Sequence, residues 1–131
     1  MHVLAALARC ALLSSLTRGP HAVLACWRRS APQVAALGLA FGMEVVVHSR
    51  TPADPPMPEG VRSDSMDGLL RAADYVSLHC PLNEATAGLI NAEKLSLMKP
   101  TAVLINTARG GVVDQTALIA ALQVASLAPA D

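Results

Sequence analysis

The sequence predicts an α/β fold built on a parallel sheet with helices crossing between strands, and three observations carry that prediction. Short apolar strand-like runs alternate with helix-like segments along most of the chain, the order expected of right-handed βαβ crossovers. Hydrophobic residues make up 53% of the 131 positions and charged residues only 15%, a balance that favours a folded core over disorder. Aromatic residues are 2%, so the core must be assembled from Ala, Leu, Val and Ile, which suits strands buried on both faces under helices. The length suits one domain with a real core.

Taken in order, residues 1–20 form an N-terminal helical segment, apolar nearly all round, that Gly19-Pro20 ends; residues 21–131 form the domain. An apolar run over 21–29 breaks into Trp27-Arg28-Arg29, and a helical pattern over 34–41 stops at Gly42, placed as a C-cap glycine. Residues 43–48 (MEVVVH) are a β-branched run read as a buried strand, followed by a Pro-rich loop over 49–60. Residues 65–73 read as a short helix capped by Ser65 or Asp64. A second strand over 75–79 is stopped by Pro81, and a helix over 91–98 is capped by Asn91 and broken by Lys99-Pro100. Residues 101–105 (TAVLI) form a third strand and 106–111 a glycine-containing loop. Asp114 then caps a helix over 115–123 whose Leu118, Ile119 and Leu122 share a face.

Charge and composition exclude several functions. Net charge is zero, so no global field draws nucleic acid or a membrane surface, and no uncharged apolar run reaches the roughly 18–20 residues of a spanning helix. Cys10, Cys26 and Cys80 show no metal-ligand or redox spacing and read as small hydrophobes in a reducing cytoplasm. The four histidines form no metal motif. Residues 1–43 hold four arginines and no acid, a composition that also fits a mitochondrial import segment, the alternative to a cytoplasmic location. In parallel sheets ligands bind beyond the carboxyl ends of the strands, which nominates three loops for one crevice: 48–51, 79–82 and 106–111.

Three strings go further: FGMEVVVHSR (41–50), ADYVSLHCPLNEATAGLINAEKLSLMKP (73–100) and TAVLINTARGGVVDQTALIAALQ (101–123). Together they resemble the second half of the cofactor domain of D-isomer-specific 2-hydroxyacid dehydrogenases, the group that includes glycerate/hydroxypyruvate reductases. The resemblance implies a partial doubly wound, Rossmann-like NAD(P)-binding domain. It implies reduction of a small 2-keto acid, such as hydroxypyruvate or glyoxylate, by hydride transfer, and a homodimer formed through this domain. The family's ribose-binding Asp at the end of the second strand is replaced by Ser49, followed by Arg50. A hydroxyl and a guanidinium would accept a 2′-phosphate, pointing to NADP over NAD, whereas the alternative is a solvated loop arginine. Cys80 and Pro81 match positions lining the nucleotide, with Cys80 acting through backbone and surface, and His79 as a packed, hydrogen-bonded histidine. Thr107, Ala108 and Arg109 match the loop facing nicotinamide and substrate. Arg109 is the arginine whose planar fork engages carboxylate and carbonyl and stabilises the developing negative charge.

The sequence also departs from that family. Counting back from Phe41-Gly42-Met43 puts Cys26, Arg28 and Ala31 on the three glycines of the phosphate loop. The second glycine lets backbone approach the pyrophosphate, and a side chain such as Arg28 obstructs it. Retained length with altered residues is the pattern of a stretch read out of frame, and residues 124–131 depart similarly. The resemblance places the acid histidine and its acidic partner beyond Asp131, so the 131 residues alone are expected to be inactive. A truncated, non-catalytic chain with weak nucleotide binding, or associating with an intact relative, is the alternative to an oxidoreductase.

Overall fold

A strand that is apolar at consecutive positions has two faces to bury, and it belongs at the centre of a layered structure. The computed structural model describes residues 21–25, 30–50 and 56–127, with 21–25 and 125–127 described by backbone alone. It contains a five-stranded sheet in which every pairing is parallel. The strands are β1 (His21–Ala25), β2 (Glu44–His48), β3 (Val61–Ser63), β4 (Tyr75–Leu78) and β5 (Val103–Asn106). The helices are α1 (Ala31–Ala40), α2 (Met66–Ala72), α3 (Ala92–Leu97) and α4 (Gln115–Leu127). Strand order is β3-β2-β1-β4-β5. The chain therefore builds outward from β1 in one direction and then returns to build outward in the other. β1 stands between β2, with His21 opposite Glu44, and β4, with Ala22 opposite Tyr75.

The period-two geometry of β2 divides its valines between two cores. Val45 and Val47 are buried with Ala31 and Ala35 of α1. Val46 joins Leu69 and Leu70 of α2, Val76 and Leu78 of β4, and Ile90, Val112 and Val113 on the opposite side. Each fully buried Leu, Ile or Val contributes about 1.5–3 kcal/mol from area alone. Two ion pairs tie this second layer together: Lys94 to Asp67 at 2.6 Å joins α3 to α2, and Lys99 meets Asp74 at 2.8 Å.

Local chemistry sets the helix ends. Ser65 Oγ accepts the Gly68 N–H at 3.1 Å and caps α2, while Asp64 Oδ1 accepts the Ser65 N–H. Asn91 accepts the Lys94 N–H at 3.0 Å and Asp114 the Ala117 N–H at 3.1 Å, as the sequence predicts. Gly42, at φ +74°, turns the chain out of α1 in a conformation that L side chains rarely adopt.

Four boundaries differ from expectation. Helix α1 begins at Ala31, because Pro32 in a first turn lacks only an N–H that the helix would not use. β3 falls between the predicted loop over 49–60 and the predicted helix from 65, where no strand is expected; it exists through pairing with Val45–Val47, and Arg62 adds an exposed ion pair to Glu44 at 2.8 Å. The third predicted strand starts at Val103, since Thr101 and Ala102 belong to a turn closed by Ala102 N–H to the Lys99 carbonyl. Helix α4 runs on to Leu127, and only Leu118 of its predicted apolar face packs on the core; Ile119 and Leu122 are 57% and 60% exposed. The expected N-terminal helix over 1–20, the phosphate-loop positions Cys26 and Arg28, and the tail 128–131 lie outside the described residues.

Candidate functional site

At the carboxyl end of the sheet a crevice of about 810 Å³ opens between the segment following β4 and the segment following β5. That volume lies within the ordinary range of small-ligand sites. One wall is His79, Cys80, Pro81 and Leu82; the other is Thr107, Ala108 and Arg109; Ser30, ahead of α1, closes the lining.

The first wall is held by hydrogen bonds from a histidine. His79 Nε2 lies 2.9 Å from Ser77 Oγ, and Nδ1 lies 2.9 Å from Ser30 Oγ. A neutral imidazole donates at one nitrogen and accepts at the other, and serine hydroxyls suit either arrangement. Burial holds the imidazole below the usual histidine range. Ser30 makes no side-chain capping bond to α1, and its hydroxyl serves His79 across 49 residues. Cys80 is buried, so its thiol packs rather than reacts. Beyond it, Thr86 Oγ1 donates to the Pro81 carbonyl at 2.5 Å and accepts the Asn83 N–H at 2.9 Å, which fixes the outgoing turn.

The second wall begins where β5 ends. Thr107 Oγ1 donates to the Leu78 carbonyl at 3.3 Å, linking the loop to β4. The Arg109 guanidinium lies exposed and donates to the Ala108 carbonyl at 2.9 Å. Among the described residues no Asp or Glu lines the crevice, so the Arg109 cation meets no described lining carboxylate and is suited to bind an anion. The two walls also touch. A Cβ added at Gly111 would sit 3.1 Å from Leu82, and the Gly88 N–H donates to the Gly111 carbonyl at 2.8 Å. Gly110, by contrast, has open space around it.

Thus Cys80, Pro81, Thr107, Ala108 and Arg109 come together, whereas Ser49 and Arg50 stand at the end of β2, outside this lining. Thr51 lies outside the described residues. Sequence reasoning missed Ser30; a serine just ahead of a helix with proline in its first turn reads only as a cap, and nothing local signals a partner at His79, 49 residues on. Fully buried Ala31 packs with Val45 and Val47 of β2 at the start of α1, the close helix–strand approach that a dinucleotide-binding turn uses. Among the described residues no group of three or more His, Cys, Asp or Glu is placed to hold a metal ion. Nor is any described helix long and apolar enough to cross a membrane.

Comparison with known proteins agrees with this geometry. Residues 17–130 match the family described as D-isomer specific 2-hydroxyacid dehydrogenase, NAD binding domain. The chain is 43% identical over 103 residues to a glyoxylate reductase of Aeropyrum pernix, covering 78% of this chain and 31% of that protein. It is 43% identical over 117 residues to an (S)-sulfolactate dehydrogenase of Chromohalobacter salexigens, covering 88% and 38%. A crystal structure of D-lactate dehydrogenase from Aquifex aeolicus, complexed with NAD and lactic acid, superposes with TM-score 0.77 at 40% identity, over 81% of this chain and 32% of that one. The chain thus spans about a third of the length of such relatives.

Proposed function

Because the chain belongs to the D-isomer-specific 2-hydroxyacid dehydrogenase family through its NAD-binding domain, we propose that it is the cofactor-binding portion of a 2-keto acid reductase of the glyoxylate or hydroxypyruvate type. The observation that carries this reading is the placement of Arg109 on a crevice wall facing the Cys80-Pro81 backbone, at the carboxyl ends of β4 and β5. In it, residues 21–131 belong to an NAD(P)-binding domain. When bound, the nicotinamide cofactor supplies a hydride. The chain's own part is to hold it along Cys80, Pro81, Thr107 and Ala108. The Arg109 guanidinium binds the 2-keto acid's carboxylate and stabilises the negative charge that gathers on the carbonyl oxygen.

Ser49 and Arg50 support a preference for NADP: without a carboxylate at the end of β2, a 2′-phosphate meets a hydroxyl and a guanidinium. Self-association through this domain and a cytoplasmic setting, in which the thiol of Cys80 stays reduced, belong to the same reading. Turnover further requires a positioned acid to protonate the forming alkoxide. His79, the histidine in the lining, is held neutral by burial and engaged with two serines. In this reading the described residues supply binding, and Arg28 at a phosphate-loop glycine position supports the second reading, a non-catalytic chain.

Titration of the purified chain with NADPH and NADH tests this. Binding with NADPH the tighter ligand supports the assignment. Tighter NADH binding removes the NADP preference, and no binding of either at millimolar concentration leaves the non-catalytic reading alone. In the presence of cofactor, Arg109→Gln is expected to weaken glyoxylate or hydroxypyruvate binding by roughly tenfold or more, the scale of a lost charge-assisted hydrogen bond.

A further inference from the structure

Asn106, the last residue of β5, turns both ends of its side-chain amide into the loop that follows. Its Oδ1 accepts the Ala108 N–H at 3.0 Å, and its Nδ2 donates to the Arg109 carbonyl at 2.9 Å. The orientation of the amide follows from these partners, one able only to donate and the other only to accept. The Arg109 carbonyl also accepts the Val112 N–H at 3.1 Å. Arg109 itself is extended, with φ −147° and ψ 143°. Its side chain therefore leaves a backbone held just before it and just after it.

We infer that Asn106 is the positioning residue of the site: its amide clasps the Ala108 N–H and the Arg109 carbonyl together and so sets the direction in which the guanidinium enters the crevice. The idea rests on the proposed role of Arg109 toward a 2-keto acid, and it adds the residue that aims it. The chemistry is specific to asparagine. Aspartate keeps the acceptor but sets a carboxylate oxygen against the Arg109 carbonyl oxygen. Alanine removes both bonds. Thr107, bonded to the Leu78 carbonyl, anchors the loop to β4, so loss of the clasp is expected to redirect Arg109 without detaching the loop.

Nuclear magnetic resonance of the 131-residue chain reads both halves. In the wild type the Ala108 amide is expected to be protected from solvent exchange. In Asn106→Ala it exchanges roughly tenfold faster, the scale of one lost hydrogen bond, and the Arg109 Nε–H resonance moves, while the Val76 and Leu78 amides keep their protection. In Asn106→Asp, Ala108 protection is retained but the Arg109 resonance still moves, which a purely structural loop residue would not produce. An Asn106→Ala chain with unchanged Ala108 exchange and an unchanged Arg109 resonance overturns the inference. If Asn106→Ala loses protection at Val76 and Leu78 as well, Asn106→Asp decides, and a wild-type Arg109 resonance there overturns it. Addition of NADPH with glyoxylate to the wild type is read separately. Absence of any Arg109 response defeats the proposed role toward the keto acid, and the clasp still stands or falls by exchange alone.

Discussion

His79 links two segments that no local pattern connects, the end of β4 and the residue before α1, through the hydroxyls of Ser77 and Ser30. Burial disfavours its charged form, so its folded-state pKa lies below the unfolded value near 6.5. Between those two values the unfolded chain binds more protons than the folded one. Stability contributed by neutral His79 is therefore fully present above about pH 6.5 and lost as pH falls toward the folded value. Urea unfolding from pH 7.5 to pH 5 should show that decline, and His79→Gln should flatten it. An equal slope in wild type and variant would refute the assignment. Because Ser30 also stands at the start of α1, the same acidification is expected to loosen the crevice wall there.

Among the described helices α2 and α3 have only seven and six residues, so their ends carry a large share of what keeps them helical. Replacing Ser65 with Ala removes the acceptor for the Gly68 N–H and should cost about 1 kcal/mol in chemical unfolding, the usual scale of a lost N-cap. An unchanged midpoint would show that Asp64, whose Oδ1 already holds the Ser65 N–H, takes over. The caps were legible in advance because Ser65, Asn91 and Asp114 act within three residues of themselves. β3 was not, since Val61–Ser63 offers a single apolar residue and is a strand only because β2 stands beside it. The reach of α4 to Leu127 was missed for a different reason: the resemblance stops at Gln123, and the helix was ended with it, whereas the residues that follow continue the helix. Of the site, the loops after β4 and β5 follow from strand order alone, as does their joint crevice. The Ser30–His79 contact and the clasp by Asn106 depend on where distant or turning backbone comes to rest, which composition and spacing do not encode.

At the scale of the whole molecule, position in the sheet explains the site. Strand order reverses at β1, and the crevice lies at the carboxyl ends of the strands on the β4–β5 side, with Ser30 contributed from the start of α1. The larger buried cluster supports that side directly, for it runs from Leu69 and Leu70 through Leu78 to Cys80 and Val112. Leu70→Ala is expected to lower stability by about 2–5 kcal/mol, measured by urea unfolding. A loss under about 1 kcal/mol would show that α2 is peripheral to the fold. Because Cys80 shares the cluster with Leu70, the same variant should also make the thiol accessible to a sulfhydryl reagent in native buffer.

The division of β2 between two layers has a bearing on how this lineage tolerates changes in length. A one-residue slip of Glu44–His48 as a whole, as an insertion or deletion at its start would force, would send Val46 toward α1 and Val45 and Val47 toward α2, inverting both cores at once. Gains and losses of residues among natural variants should therefore gather in the proline-rich span 49–60, and the strand itself should vary by substitution alone.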